Sequence, residues 1–433
     1  MKDAVEEVSA LYFVSTAADG GLHCLDGWQY AQLGDGVDLL SGNHVMASCC
    51  NNQGIGTPYL TGPADFPNGV IQLTKYTTRP SAICDAGDIL ITVKGSGVGS
   101  LTLADTKYCI SRQLMAVRVR NWDERFVYQL ISSKQDFFSG AATGLIPGLS
   151  RGDILEKSIH IPVDREEQTA IADALSNVDA LINGLENLIA KKQAIKTATM
   201  QQLLTGRTQL PQFATGPDGC PRGTKQTELG EIPEDWDLLS LGDVCIFENG
   251  DRGSNYPSPN SFVGSGVPFI NAGHIANGVI SLDCMNYITD EAYSRLGGGK
   301  VRPGDILFCL RGSLGKYGLV SEDFGLGAIA SSLVIVRAKE RVSLQYLICY
   351  FASELCEKMI ELWAGGAAQP NLGARELARF ALPVPKKDEQ TAIASILSDI
   401  DGEIQTLEQR LSKTRQIKQG MMQELLTGRT RLV

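Results

Sequence analysis

The chain contains the same 41-residue segment twice. Residues 168–208 and 390–430 align without gaps and are identical at 22 of 41 positions, which chance does not produce over such a length. Weaker matches precede each copy, among them a Gly-Asp-Ile-Leu tetrapeptide at 87–90 that returns at 304–307. Because the period is a little over 200 residues, it indicates a duplicated domain rather than the short repeats of a solenoid.

Each copy of the segment has the pattern of a long helix. Apolar residues alternate between spacings of three and four, which is the seam of a coiled coil, and no proline interrupts either run. Gly206 and Gly428 follow the runs and are predicted to cap the helix C-termini. The matching seams predict that the two helices pair antiparallel within the chain, and two ordinary amphipathic core helices are the alternative. The seam residues are Ile171, Leu175, Val178, Ile182, Leu185 and Ile189 in the first helix and Ile393, Leu397, Ile400, Ile404, Leu407 and Leu411 in the second.

The stretches before the two helices have a different pattern. Short runs rich in Val and Ile predict strands, and clusters of Gly, Asn and Asp between them predict turns. One helix is expected in each stretch, near 123–138 and 343–362. The predicted fold class is therefore α+β, with two mixed α/β domains joined by two long antiparallel coiled-coil helices in a pseudo-two-fold duplication. The predicted boundaries are 1–150 for the first domain, 151–210 for the first helical segment, 211–227 for a linker, 228–375 for the second domain and 376–433 for the second helical segment.

Composition excludes several classes of protein. With 39 Lys and Arg against 49 Asp and Glu, the net charge of −10 argues against a protein that coats nucleic acid, although not against a local basic patch. No apolar run is long enough to span a membrane, and the N-terminus lacks a signal-peptide pattern. The eleven cysteines are never spaced Cys-x-x-Cys. We therefore expect buried free thiols, as at Cys109 and Cys309, no metal site, and a location in the reducing cytoplasm.

Several motifs, in their order along the chain, resemble those of one protein family. They are TELGEIPEDW at 227–236, the Gly-Asp-Ile-Leu strand, the loop with a basic residue followed by Gly-Ser, AAQPNL at 367–372, the EQTAIA start of each long helix and its LLTGRT end. Over nearly the whole chain, this order resembles the specificity subunit of type I restriction–modification enzymes. The first half departs from the pattern where Gly148 stands in place of Asn371 and Ile146 in place of Gln369.

The resemblance implies a DNA-recognition role without catalysis in this chain. Each globular unit would be a target-recognition domain that reads one half of a bipartite double-stranded DNA sequence. The long helices would be spacers that set the gap between the half-sites and dock two methyltransferase subunits, and restriction–translocase subunits would join that core. S-adenosylmethionine, ATP and Mg would be used by those partners, and no cofactor is expected in this chain. A related multi-subunit restriction system stays an alternative.

The loops that follow the two Gly-Asp-Ile-Leu strands are the predicted DNA contacts. Glycine allows the backbone to approach phosphate closely, and Ser, Lys and Arg donate to phosphate or guanine. Solvated hairpins with ordinary surface charges are the alternative. Arg118 and Arg337, which alternate with Val within strands, are expected to be structural or solvent-facing. The predicted DNA-binding residues are Lys94, Gly95, Ser96, Arg112, Arg311, Gly312, Ser313 and Lys316.

Two other functional classes compete with DNA recognition. A nuclease with paired carboxylates and a lysine would match Asp88 with Asp105 and Lys107, but the second half has no equivalent lysine. The sequence contains no Walker motif and no Pro-Pro loop of the adenine methyltransferase type, which argues against ATP-driven translocation and methylation by this chain. A non-catalytic scaffold with two protein-binding modules on a coiled-coil strut stays open, because periodicity alone does not exclude it.

Overall fold

The computed structural model describes residues 26–95, 97–133, 148–216, 219–276, 278–364 and 371–432. The chain divides into two compact units, one formed by the chain up to residue 187 together with residues 409–433, and the other by residues 188–408. The division falls inside both long helices, so each unit contains one globular domain and part of each long helix. We refer to them as the first and the second unit.

The elements of the described chain up to residue 204 are as follows. The strands are β1 (Trp28–Gln32), β2 (Val37–Ser41), β3 (Cys50–Asn51), β4 (Thr57–Leu60), β5 (Tyr76–Thr77), β6 (Ile83–Cys84), β7 (Ile89–Thr92), β8 (Leu101–Leu103), β9 (Tyr108–Ile110), β10 (Leu114–Val119) and β11 (Ser158–Pro162). The helices are α1 (Glu124–Ser132), α2 (Arg151–Leu155) and the long helix α3 (Arg165–Leu204).

The rest of the described chain repeats this kind of element order. The strands are β12 (Thr224–Thr227), β13 (Gly230–Pro233), β14 (Asp237–Ser240), β15 (Cys245–Asn249), β16 (Val267–Ile270), β17 (Ile275–Ala276), β18 (Val279–Ile280), β19 (Asn286–Ile288), β20 (Ile306–Cys309), β21 (Tyr317–Leu319), β22 (Ala328–Ile329), β23 (Leu333–Ala338) and β24 (Ala381–Val384). The helices are α4 (Leu241–Val244), α5 (Asp290–Arg295), α6 (Leu344–Phe351), α7 (Glu354–Ala364), α8 (Ala374–Leu377) and the long helix α9 (Lys387–Leu425).

The two domains share one pattern of strand pairing. In the first, the antiparallel sheet β2-β10-β7-β8 accompanies a mixed sheet in which β4 and β9 run parallel, and β1 pairs with β11. In the second, the sheet β15-β23-β20-β21 accompanies a mixed sheet in which β16 and β22 run parallel, and β14 pairs with β24. This content of mixed sheets and helices in two repeated domains confirms the predicted α+β class. At the start of the second domain, β12 pairs with β13 and overlaps the end of the predicted linker 211–227.

The helices predicted within the domains are present with different bounds. The first begins after Asp123, whose carboxylate accepts from two N–H groups of the first turn, and ends at Ser132. The second, predicted as one helix over 343–362, is two helices separated at Ala352 and Ser353. The Ser353 hydroxyl donates to the Tyr350 carbonyl at 2.6 Å. Such a bond competes with continuation of the helix, which periodicity does not reveal.

The long helices α3 and α9 contact each other within each unit through ion pairs. Within each unit, the ion-pair partner on α9 has a lower residue number when the partner on α3 has a higher one, so the two helices run antiparallel. Exposed pairs of this kind add only about 0–1 kcal/mol each, so they orient the helices more than they stabilise them. The pairs are Glu186–Arg415 and Asp179–Lys418 in the first unit, and Lys192–Glu403 and Lys196–Asp401 in the second.

The predicted seam residues lie on the less exposed side of both helices. The first turns also belong to the domain cores, because Ile171 and Leu175 pack in the core of the first unit and Ile393 and Leu397 in that of the second. Gly206 and Gly428 have φ of +70° and +74° just beyond the helix ends, as predicted for C-caps. Buried seam residues are Ile171, Leu175, Val178, Ile182, Leu185, Ile189, Ile393, Leu397 and Ile404, and half-buried ones are Ile400, Leu407 and Leu411.

The glutamine of each EQTAIA motif joins a long helix to its domain. Gln168 accepts a hydrogen bond from the Asp123 N–H at 2.8 Å, and Gln390 accepts one from the Ser343 N–H at 2.7 Å. Both amides also donate to a proline carbonyl just before the long helix. Since Asp123 and Ser343 are the N-caps of α1 and α6, each glutamine fixes the start of a domain helix against the start of a long helix.

The glutamate of the first motif, Glu167, is buried and forms an ion pair. Its carboxylate accepts two hydrogen bonds from the guanidinium of Arg431, from Nε at 2.5 Å and from Nη2 at 2.7 Å. The Trp28 indole donates to the same carboxylate at 3.4 Å. Arg431 follows the LLTGRT motif, so the segment after α9 is attached to the first unit at this carboxylate.

The glutamate of the second motif, Glu389, is buried, and no described residue forms an ion pair with it. It accepts from the Trp236 indole at 3.0 Å and from Gln209 Nε2 at 3.2 Å. Gln209 occupies the position that corresponds to Arg431 in the repeat. The Oε1 atom of Glu389 has no hydrogen-bond partner among the described residues. Burial raises the pKa of Glu389, and the hydrogen bonds from Gln209 and Trp236 only partly oppose that rise.

The second unit is therefore expected to gain stability from the change Glu389→Gln at neutral pH. Above its raised pKa, the folded state carries a buried charge that the unfolded state holds in water, so ionisation costs folding free energy. This cost disappears as the pH falls through the raised pKa towards the ordinary value of about 4.3. Urea unfolding at about pH 7.5 and about pH 4.5 measures the difference between variant and parent. If Glu389→Gln changed the free energy of unfolding equally at both pH values, Glu389 would not be the buried charge that lowers stability. Glu167→Gln, which loses an ion pair, is the contrasting control.

Candidate nucleic-acid interface

In the second domain, a tight loop joins β20 to β21. The Cys309 N–H donates to the Lys316 carbonyl at 2.8 Å, which closes the loop. Gly312 and Gly315 have φ of +76° and +84°, values that residues with a side chain rarely adopt. The loop exposes Arg311 and Lys316, and neither forms an ion pair with another described residue. Of the other predicted contacts here, Gly312 is exposed and Ser313 is half-buried.

The corresponding loop of the first domain joins β7 to β8. It is closed by the Thr92 N–H, which donates to the Ser100 carbonyl at 2.9 Å. Lys94 is exposed, and Gly95 has a φ of +96°. Ser96 lies outside the described residues. Both loops thus present a cation followed by a glycine with positive φ, as the repeat of the Lys/Arg-Gly-Ser triplet predicts.

A turn of the neighbouring strand lies beside each loop. In the first domain, the N–H of Val93, just before Lys94, donates to the Gln113 carbonyl at 2.7 Å. In the second, the N–H of Leu310, just before Arg311, donates to the Ser332 carbonyl at 2.9 Å. Arg112 directly precedes Gln113 and is exposed. The structure therefore brings the predicted residues Lys94 and Arg112 together at one end of β7 and β10, the central strands of the first domain's four-stranded sheet.

The second domain has a different arginine at this edge. Ser331 stands at the position of Arg112, and its carbonyl accepts a hydrogen bond from the guanidinium of Arg252 at 3.2 Å. Arg252 is exposed. Comparing the two halves of the sequence did not identify Arg252, because it follows the end of β15, two residues after Gly250. Only the fold shows that this segment meets the Ser331 turn.

A glycine at the same position in each domain lets the two backbone segments approach each other closely. A Cβ at Gly42 would lie 2.0 Å from the carbonyl oxygen of Ser111, and one at Gly250 would lie 2.7 Å from that of Ile329. A side chain at either position would clash with backbone, so glycine is required for the close approach. The equal spacing of these glycines after the repeated Leu-Gly-Asp motif therefore reflects the same backbone crossing in both domains.

The short segment before α2 in the first domain and the one before α8 in the second also reach the loops. The Leu149 N–H donates to the Val93 carbonyl at 2.9 Å, and the Leu372 N–H donates to the Leu310 carbonyl at 3.1 Å. In the second domain, the Oδ1 of Asn371 accepts a hydrogen bond from Nε of Arg311 at 2.9 Å. This contact to a predicted DNA-binding side chain was not anticipated, although Asn371 lies in the AAQPNL motif.

The two strand arginines that were expected to be structural or solvent-facing are indeed tied into ion pairs. Arg118 donates to Asp88 from Nε at 2.9 Å and from Nη2 at 2.7 Å. Arg337 donates to Asp305 at 2.6 and 3.0 Å and to Glu248 at 2.5 Å. Burial lowers the pKa of Arg337, but the hydrogen bonds to Asp305 and Glu248 outweigh it and raise that pKa. The aspartates of both Gly-Asp-Ile-Leu motifs thus hold adjacent strands together.

The residues of the nuclease hypothesis are engaged in structural contacts with other side chains. Asp88 is bound by Arg118, the hydroxyl of Tyr108 donates to Asp105 at 2.5 Å, and Lys107 pairs with Asp85 at 3.2 Å. Within the part of the chain that the structure describes, no cluster of three His, Cys, Asp or Glu side chains could hold a metal ion. The geometry does not support the paired-carboxylate arrangement.

Two expectations from composition can be compared with the structure. The described cysteines are free thiols, and Cys109 and Cys309 are buried, as predicted. Burial raises the pKa of Cys309 to about 12, which keeps this thiol protonated and unreactive. Across the described ranges, no helix has the length and apolarity that a membrane crossing requires.

The chain is similar to proteins of one family over most of its length. The family model of the type I restriction modification DNA specificity domain matches twice, at residues 26–197 and 233–416. The MjaVIII type I restriction enzyme specificity subunit of Methanocaldococcus jannaschii is 25% identical over 423 residues, which cover 95% of each chain. The EcoBI specificity subunit of Escherichia coli is 22% identical over 435 residues, covering 94% of this chain and 86% of that one.

Solved structures show the same fold. The S subunit of a type I restriction-modification system from M. genitalium superposes with a TM-score of 0.60 at 16% identity, covering 95% of this chain and 99% of that one. A chain from a structure of type I R-M complex assembly has a TM-score of 0.53 at 15% identity, with coverage of 94% and 99%. Together with the two matches of the family model, this shows that the chain belongs to the type I restriction–modification specificity family and contains its DNA specificity domain twice.

Proposed function

We propose that this chain is the DNA sequence-specificity subunit of a type I restriction–modification complex and that each domain reads one half of a bipartite target. The observation that carries the proposal is the pair of corresponding loops after β7 and β20. Each presents an exposed cation, Lys94 or Arg311, that has no ion-pair partner among the described residues. Free Lys and Arg side chains on glycine-containing loops suit phosphate and guanine contacts. The two domains present different cations at this position, which suits the reading of two different half-sites.

The contacts must be local, because neither domain is basic overall. Residues 1–150 carry 10 Lys and Arg against 14 Asp and Glu, hence −4, and residues 216–375 carry 13 against 19, hence −6. A protein with such a balance gains little from general attraction to the phosphate backbone. We therefore propose that the methyltransferase partners provide much of the phosphate contact.

The long helices are proposed to act as a coiled-coil spacer that sets the gap between half-sites and docks two methyltransferase subunits. The antiparallel ion pairs within each unit support the spacer role. Leu181, Leu188 and Ile195 support the docking role. They recur every seven residues along α3 and are 47%, 40% and 43% exposed. An exposed apolar stripe at heptad spacing is typical of a surface that a partner helix covers.

The catalytic chemistry of the complex is proposed to lie in the partner subunits. Methylation would use S-adenosylmethionine bound by the methyltransferase subunits, and cleavage and translocation would use ATP and Mg bound by restriction–translocase subunits. We also propose that the complex works in the cytoplasm, where the thiols of this chain stay reduced. The proposal assigns no catalytic residue to this chain.

The test is selection from randomised duplexes by the full chain assembled with its methyltransferase subunits. Enrichment of a two-part sequence with a constant gap, at both low and moderate salt, is the expected result. The unassembled chain is the control and should bind the selected duplex weakly. Failure of the assembled complex to enrich any bipartite sequence would refute the proposal.

Changing either cation of the second loop should weaken recognition of one half-site only. Arg311→Ala or Lys316→Ala removes a donor from the second domain, so we expect about tenfold weaker binding and relaxed preference in the half-site that this domain reads. Lys94→Ala, in the first domain, should leave the preference in this half-site unchanged. Lys358→Ala, at an exposed position on α7, is the control and should leave both preferences unchanged. Equal loss at both half-sites for the Arg311 variant would contradict the assignment.

A further inference from the structure

One side-chain contact distinguishes the second loop from the first. The Nε of Arg311 donates to the Oδ1 of Asn371 at 2.9 Å. Asn371 is held in place by the next residue, Leu372, whose side chain is 1% exposed and whose N–H donates to the Leu310 carbonyl at 3.1 Å. A buried anchor and a backbone hydrogen bond thus place the amide beside the arginine.

An amide orients an arginine without neutralising it. Arg337 of the same domain is bound by two carboxylates, those of Asp305 and Glu248, and its charge is satisfied within the protein. Arg311 has an uncharged partner, is exposed, and forms no ion pair with any residue that the structure describes. With Nε occupied by Asn371, the terminal Nη1 and Nη2 atoms remain as a pair of donors. That pair matches the O6 and N7 acceptors of guanine in the major groove.

We infer that Asn371 is a positioning residue that aims the Arg311 guanidinium at one base of the second half-site, so that Arg311 discriminates between bases instead of only binding phosphate. The inference rests on the proposed function and extends it. It assigns to the second domain a guanine contact whose specificity depends on an amide that does not itself touch DNA. A side chain free to rotate would spread its donors over bases and phosphates alike, whereas a fixed guanidinium plane favours one acceptor pair.

The first domain lacks this arrangement, although Leu149 and Leu372 make corresponding backbone hydrogen bonds. Lys94 forms an isolated backbone bridge with Gly148, the position that corresponds to Asn371. Glycine has no side chain to orient a neighbour, and the lysine ammonium is a point charge without a planar pair of donors. Lys94 is therefore assigned to a phosphate, where it contributes affinity and no base preference.

The inference is tested by duplex selection with the full chain assembled with its methyltransferase subunits, comparing the parent, Asn371→Ala, Arg311→Ala and the double variant. Asn371→Ala is expected to lose about tenfold discrimination at one position of the second half-site and none in the first. The double variant should be no less selective than Arg311→Ala, because both changes remove the same contact. Asn371→Asp keeps the acceptor but neutralises the arginine, so it should weaken binding and reduce the salt dependence by about one phosphate equivalent. Lys94→Ala should lower affinity at every sequence equally.

The outcomes separate this inference from the proposed function. If the parent complex selects a bipartite sequence and Asn371→Ala keeps its full preference, the positioning role is overturned while the function stands. If Asn371→Ala relaxes both half-sites equally, the residue acts on folding or assembly and the inference is also overturned. If the parent complex selects no bipartite sequence, both fail. Because Asn371 is exposed, the alanine variant is expected to fold, and the Asp variant gives a second readout in salt dependence.

Discussion

Duplicating one heptad in both long helices is expected to abolish selection of the native target, and adding three heptads is expected to restore selection with a gap nine or ten base pairs longer. One heptad adds about 10.5 Å at 1.5 Å per residue. That corresponds to about three base pairs and turns the second half-site about 100° away around the DNA. Three heptads add about 32 Å, close to the 34 Å of one DNA turn.

The expected loss for one heptad is about a thousandfold or more, since a complex that reaches only one half-site keeps mainly non-specific contacts. The insertions should duplicate 185–191 in α3 and 406–412 in α9. The ion pairs Lys192–Glu403 and Glu186–Arg415 indicate that these stretches lie at matching levels. Whole heptads preserve the seam.

Insertion into α3 alone is the control for this experiment. It shifts the seam of one helix against the other and should cost folding or assembly. The measurement is sequence selection from duplexes with randomised half-sites and gaps. A folded three-heptad variant that still selected the native gap would show that the helices do not set the spacing.

Replacing Arg431 with alanine is expected to destabilise the first unit by about 2 kcal/mol. The Glu167 side chain is 5% exposed. Among the described residues, removing Arg431 leaves its carboxylate with the Trp28 indole at 3.4 Å as its hydrogen-bond donor. Breaking a fully buried pair costs about 3–5 kcal/mol. We expect less because the Arg431 side chain is 34% exposed. Urea unfolding combined with hydrogen exchange in residues 26–187 measures the loss where it arises.

The repeat offers a matched control for this change. Gln209→Ala removes the corresponding side chain of the second unit, which is a single neutral donor to Glu389 at 3.2 Å. That loss should cost about 1 kcal/mol and leave exchange in the first unit unchanged. Equal destabilisation by both variants would show that charge at Arg431 does not matter.

Part of the candidate interface could be predicted from sequence because it lies in local, repeated motifs. The exposed cations Lys94 and Arg311 follow a strand motif that occurs twice, so the sequence shows both where each cation lies and what kind of side chain it is. Arg252 and Asn371 were missed for the same physical reason. Each makes a side-chain contact with a segment that is distant in sequence, and spacing along one segment does not report such contacts.

The two helical segments, their C-caps and the α+β character of the domains were determined by the sequence alone, because apolar periodicity and capping glycines act within a few residues. Tertiary structure decided how equivalent residues are used. Glu167 and Glu389 occupy the same motif, yet one meets Arg431 and the other Gln209. Asn371 likewise has Arg311 as its partner, while Gly148 leaves Lys94 unoriented. The differing residues are visible in the repeat, but which side chains they meet, and how deeply those are buried, depends on how distant segments pack. Only the folded chain shows that packing.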